Sequence, residues 1–163
     1  MVATTDLARI AVEKIMDTDH LKQLVGRKRQ VLEMLVQIAR RQSEFIAASD
    51  MTTLLKLLAA KQGLLQQLQQ IERQLDPFRD QDPELRAWRS APERQECLEA
   101  THACETMLAE LMQIEQRDEN EMVRRRDVVA SQLNGVHSAH EARSAYATMP
   151  FATAASLDLS CES

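Results

Sequence analysis

Residues 28–75 read KRQVLEMLVQIARRQSEFIAASDMTTLLKLLAAKQGLLQQLQQIERQL, and the spacing of apolar side chains in and around this stretch decides the fold. In its first half and the turns before it, Leu21, Leu24, Val25, Val31, Leu32, Leu35, Ile38, Ala39, Phe45 and Ile46 recur at steps of three and four, which is one face of a helix. Met51, Leu54, Leu55, Leu57, Leu58, Leu64, Leu65, Leu68, Ile71 and Leu75 repeat the pattern. Lys56, Lys61, Gln66, Gln69, Gln70 and Arg73 fall mostly on the opposite side. Between the two arms, Ser49 or Asp50 can accept a hydrogen bond from the first free N–H groups of the second helix. A joint this short folds the arms antiparallel.

Composition narrows what surrounds that hairpin. The chain has 163 residues, of which 3% are aromatic, so its core is built from leucine, methionine and alanine along long helices. That favours a bundle over a globule with a rigid aromatic cavity. No uninterrupted apolar run reaches about 18 residues, which excludes a membrane-spanning helix. The N-terminus carries Asp6, Arg9, Glu13 and Lys14 among small apolar residues and lacks the apolar block of a secretory signal. Three cysteines, Cys97, Cys104 and Cys161, form no paired framework and read as reduced thiols. A cytoplasmic location is expected. The net charge of −5 is modest and its signs are interleaved, so no long-range attraction for nucleic acid follows. Arg124, Arg125 and Arg126, set among Asp118, Glu119, Glu121 and Asp127, read as a solvated helix face.

Prolines at 77, 83, 92 and 150 divide the chain. The predicted organisation is a short N-terminal segment, 1–18, in which Leu7, Ile10, Ala11 and Ile15 can extend the first helix or fray. A helical domain at 19–135 and a flexible tail at 136–163 follow. Helices are expected at about 19–48, 50–75 and 93–134, with Ser90 capping the third, Pro92 in its first turn and Asn134-Gly135 stopping it. Asp76 to Pro92, with Trp88, is a polar connector. The fold class is therefore all-α: an antiparallel helical hairpin plus a long third helix, a coiled-coil-like three-helix bundle with flexible ends.

At about 1.5 Å per residue the third helix measures roughly 60 Å against roughly 40 Å for the second. It outruns its cover. Leu98, Met107, Leu108, Leu111 and Ile114 make a first apolar patch; Met122, Val123, Val128, Val129, Leu133 and Val136 make a second, beyond the acidic run Glu115 to Glu121. With the first patch on the hairpin, the second is expected past the hairpin tip, free for a partner or for self-association as a coiled coil. Tyr146, the one tyrosine, is either a docking anchor or a ring resting on its own helix.

Catalytic chemistry finds little support. Glu99 and His102 form one Glu-x-x-His pair, but a di-metal bundle needs a second copy and two further glutamates, and Asp17 with His20 is a poor substitute. Cys97 and Cys104 stand two helical turns apart, too far for a disulfide, and read as buried small apolar residues. His137 and His140 read as solvated. No glycine-rich phosphate loop, nucleophile elbow or Ser/His/Asp arrangement is present. The expectation is a protein with no enzyme activity, no cofactor and no metal.

The stretches Lys28-Arg29-Gln30-Val31-Leu32, Gln42-Ser43-Glu44-Phe45-Ile46-Ala47-Ala48-Ser49-Asp50 and Leu54-Leu55-Lys56-Leu57-Leu58-Ala59-Ala60-Lys61-Gln62 resemble the FlgN family of flagellar export chaperones. That family's pattern is a leucine-rich helix, a joint of small residues ending in Asp, and a second helix with Leu-x-x-Leu-x-x-x-Lys-Gln. The resemblance covers 20–75 closely and 93–146 more loosely, through Gly135 and Ala145-Tyr146. The connector with Trp88 and the tail after Pro150 depart from it. It implies a chaperone of flagellar type III secretion that binds hook-filament junction proteins and delivers them to the export gate or its ATPase components. Its working form is a monomer or weak homodimer without nucleic acid or membrane insertion. On that reading Met122, Val129, Leu133 and Val136 contact the client, and Tyr146 contacts client or gate. The alternative is a structural homo-oligomeric coiled-coil protein.

Overall fold

The computed structural model describes residues 3–148, with side chains from Asp6 onward. Three α-helices, α1 (Ala3–Ala48), α2 (Met51–Arg79) and α3 (Ala91–Thr148), account for almost all of it, with a short 3₁₀ turn at Pro83–Leu85. No strand occurs among the described residues. The chain divides into two compact units, one ending at Asn120 and one beginning at Glu121. The tail after Pro150, with Phe151, Leu157 and Cys161, lies outside the described residues.

The reversal between α1 and α2 is a matched pair of caps. Ser49 has a φ of 58°, and its N–H donates to Ile46 O at 3.1 Å while Asp50 N–H donates to Phe45 O at 3.0 Å. This is the double bond of a Schellman ending, with serine where glycine is usual. Asp50 then opens α2, its Oδ1 accepting from Thr53 N–H at 3.1 Å. Of the two candidate caps it is Asp50 that acts, and the hydrogen bonds from Thr53 hold its carboxyl below the usual range.

Within the first unit, the side chains turned inward step by three and four along each helix. On α1 they include Thr18, Leu21, Val25, Leu32, Leu35, Ala39, Gln42 and Ile46. On α2 they are Leu54, Lys61, Ile71, Leu75 and Phe78, and on α3 Cys97, Cys104, Leu111, Ile114 and Asp118. Leu32 and Leu35 are 0% exposed. Such spacing keeps one seam of each helix facing its neighbours over many turns.

One layer of this core is polar. Gln42 Nε2 donates to Asp118 Oδ2 at 3.0 Å, Ser43 Oγ donates to Asp118 Oδ1 at 2.8 Å, and Lys61 Nζ donates to Gln42 Oε1 at 3.0 Å and also to Glu115. All three helices contribute, so every buried polar atom in the layer has a partner on another helix. Sequence spacing had put Lys61 on the outer side of the second arm; it is buried, seven residues from both Leu54 and Leu68 on the same stripe. Its ammonium is accommodated because Glu115 and Gln42 answer it.

Several boundaries move. From Ala3 the N-terminal segment extends the first helix, one of the two states expected of it: α1 starts there, and Ile15 and Thr18 already turn inward, Thr18 Oγ1 donating to Ala87 O at 2.6 Å. α2 continues through Pro77 to Arg79, because Phe78 extends the Ile71 and Leu75 stripe into the core and the proline removes only one hydrogen bond in the last turn. α3 passes through Glu115 to Glu121 unbroken and does not stop at Gly135; it runs to Thr148. Gly135 has no positive φ and so forms no left-handed ending. The alanine-rich stretch after it outweighs the roughly 1 kcal/mol a helical glycine loses against alanine. Residues 136–148 of the expected flexible tail are thus helix. At the other end Ser90 does cap α3, accepting from Glu93 N–H at 3.4 Å.

Candidate partner-binding surface

From Glu121 to Thr148 the second unit is a single helical stretch, and nearly all of its side chains are exposed. Met122, Val129, Leu133 and Val136 recur at steps of seven, four and three, so they lie along one side of α3, with exposures from 37% to 69%. Val123 and Val128 flank them and are exposed too. Tyr146 is exposed at 77%. Ten residues past Val136, it stands about 80° round the helix from the stripe, so the helix brings the four aliphatic residues together and leaves Tyr146 off their line.

Charge around the stripe is settled locally. Arg124 donates to both Glu121 oxygens, at 2.9 and 2.8 Å, and Arg125 Nε donates to Glu121 Oε1 at 2.7 Å. Those two guanidiniums hold the Glu121 carboxyl down to about 2. Arg126 pairs with Asp127 at 2.8 Å, and His137 lies 3.1 Å from Glu141. The basic run is therefore a solvated, internally paired face and not a reserve of free cations.

In the first unit, the first apolar patch of α3 splits. Leu111 and Ile114 are buried and Met107 half-buried, whereas Leu98 and Leu108 are exposed, because the seam runs through Cys97, Cys104 and Leu111 instead. α2 is likewise two-sided: Met51, Leu55, Leu58 and Leu65 are exposed on the flank away from its core residues. Glu99 and His102 are both exposed, the imidazole 3.7 Å from Glu105. Cys97 and Cys104 are free and buried, and burial pushes both thiols up, which keeps them protonated near neutral pH. Among the described residues no helix is long and apolar enough to cross a membrane.

A family model described as FlgN protein matches residues 16–148, a span that takes in most of α1, all of α2 and all of α3. The chain belongs to the FlgN family. The family is one of flagellar export chaperones, proteins that bind flagellar client proteins. No curated protein and no solved structure matches the chain.

Reading by residue type overlooked the polar layer. Cys97, Cys104, Leu111 and Asp118 are successive steps of seven, and the series itself marks Asp118 as inward, although the acidic run around it reads as solvent-facing.

Proposed function

We propose that this FlgN-family chain is a cytoplasmic chaperone of flagellar type III secretion that binds hook-filament junction proteins, keeps them from assembling early and hands them to the export gate or its ATPase components. The observation that carries this reading is the stripe of Met122, Val129, Leu133 and Val136 on a helix that stays ordered while leaving these side chains in water. Covering the part of these four side chains that is still exposed is worth roughly 3–7 kcal/mol. Association opposes this by an estimated 4–15 kcal/mol, so binding through the stripe is modest in strength and readily reversed. Reversibility suits a chaperone that must release its client. An amphipathic client helix laid along the stripe is the recognition mode that fits an exposed helix face.

The test is co-expression with the host's hook-filament junction proteins, followed by size-exclusion chromatography with light scattering. The expected outcome is a discrete complex with the chain monomeric or weakly dimeric alone. Val129→Gln combined with Leu133→Gln should abolish the complex and leave helicity intact; an undiminished complex would remove the stripe from the reading. For Tyr146 the expected result of Tyr146→Ala is impaired export, and normal export would take Tyr146 out of the contact set.

The second reading is a self-associating coiled-coil protein. It is favoured by the α2 flank, where Met51, Leu55, Leu58 and Leu65 keep heptad spacing in solvent. A tight homo-oligomer in the same experiment, dispersed by Leu55→Glu, would replace the chaperone proposal with this one.

A further inference from the structure

A groove of about 530 Å³ lies in the first unit, among α1, the end of α2, the connector and the start of α3. Its apolar lining includes Leu21, Leu75, Phe78, Trp88 and Leu98. The chain has five aromatic residues in all, one tryptophan, one tyrosine and three phenylalanines, so two of them meet in this one depression. Tryptophan and arginine are the residue types that dominate binding energy at protein interfaces, and the groove holds both.

One of its cations is left without a carboxylate partner. Lys28, Arg79, Arg86 and Glu105 line it. Lys28 is answered by Glu72 at 2.7 Å, and Arg79 by Asp76 at 2.7 Å and by Glu72. Arg86 has no such answer. Its Nη2 donates to the Phe78 carbonyl at 2.6 Å, its buried Nε has no hydrogen-bond partner, and among the described residues no carboxylate lies within ion-pair distance. A half-buried guanidinium with an orphaned donor beside an apolar trough calls for an anion that arrives with apolar groups attached.

We propose that this groove docks an acidic amphipathic segment of a partner protein, with apolar side chains entering between Leu75, Trp88 and Leu98 and a carboxylate pairing with Arg86. A peptide is the occupant because the groove has room for several side chains, and its apolar lining beside one unanswered guanidinium suits a segment that carries leucine-like and acidic side chains together. The assignment does not rest on the client-binding stripe of the second unit, and either can fail without the other.

Trp88, as the sole tryptophan, reports on the groove directly. The full chain is titrated with an acetylated, amidated heptapeptide of leucine pairs between single glutamates, with its glutamine twin, and with laurate, following tryptophan emission. The expected result is a saturable blue shift with the glutamate peptide and about tenfold weaker binding of the glutamine twin, the size of one charge-assisted hydrogen bond. Arg86→Gln should erase that preference, and Arg86→Lys should keep part of it. Leu98→Asp, at an exposed rim position, should abolish binding with unchanged circular dichroism. Equal binding of both peptides, a preference that survives Arg86→Gln, or no response to either peptide overturns the proposal. Saturation by laurate alone reassigns the groove to a small anionic amphiphile and overturns it as well.

Discussion

Residues up to Asn120 and residues from Glu121 to Thr148 use the same secondary structure to opposite ends. In the first unit the inward positions of three helices are closed by neighbours, down to 0% exposure at Leu32 and Leu35. In the second, residues of the same chemistry at the same kind of spacing stand in water. Helix formation alone does not tell the two apart: both are long helices and both carry intrahelical ion pairs. What separates them is whether a partner helix is present, and most helical stability in a protein comes from such packing. The second unit therefore rests on helix propensity and i,i+4 pairs, and its apolar residues remain available.

Truncating one leucine in each unit tests this contrast most strongly. Leu32→Ala removes a side chain with no exposure and should lower unfolding free energy by about 3–4 kcal/mol, as buried leucine truncations do. Leu133→Ala, the same change in the second unit, should stay within about 0.5 kcal/mol. Urea denaturation followed by circular dichroism measures both. A loss at Leu133 comparable with that at Leu32 would mean the stripe is already covered in the free protein.

Next in size is the polar layer. Asp118→Ala leaves Gln42 Nε2 and the Ser43 hydroxyl without their main acceptor, and should destabilise by about 2 kcal/mol. Replacing Gln42, Lys61 and Asp118 together by leucine should recover most of that loss, since buried ionic layers contribute little net stability against well-packed apolar residues. The informative readout of the triple variant is its oligomeric state. If the layer sets helix register, the variant is stable but heterogeneous; a homogeneous monomer would show that register is fixed elsewhere.

How much of this was written in the sequence depends on which signal carried it. The hairpin was legible because Ser49 and Asp50 are chemically suited to end one helix and cap the next, and the apolar steps on either side agree. The third helix was legible up to its first patch, but the choice of seam was not. Cys97 and Cys104 are buried as their type suggests, but Leu98 and Leu108, which look like core residues by type, are displaced from the seam that the two cysteines hold. Lys61 and Asp118 were misplaced for the same reason, because residue type was read ahead of the seven-residue step. Arg86 and its groove left no periodic trace at all. They arise from a connector folding back over the bundle, held by Thr18 to Ala87 and by Asp19 to Arg89, contacts between residues far apart in the chain.

A smaller effect distinguishes the two ways of reading Gly135. Were it the left-handed terminus its sequence context suggests, Gly135→Ala would be unfavourable. In the helix that the structure shows, an added Cβ meets nothing within 4 Å, and the substitution should favour local helix by about 0.5–1 kcal/mol. Amide hydrogen exchange over residues 130–148 should slow several-fold in the variant. Faster exchange there would restore the stop at Asn134-Gly135 and shorten the available stripe.

The junction residue itself offers a subtler test. Glu121 begins the second unit, and its carboxyl is held near 2 by hydrogen bonds from Arg124 and Arg125. Its folded pKa lies below the ordinary glutamate value near 4.3, so the contribution of these pairs is present above that value and fades as the pH falls from there toward 2. The carboxylate is exposed and the pairs are screened, which makes the global consequence slight and salt-dependent. A carbon-detected NMR titration of the Glu121 side chain should nonetheless give a midpoint well under that of other glutamates, moving up toward them when Arg124 and Arg125 are changed to glutamine. A midpoint near 4.3 in the unaltered chain would mean that the pairs do not persist in solution, and that the second unit holds its helix with even less local support than the first.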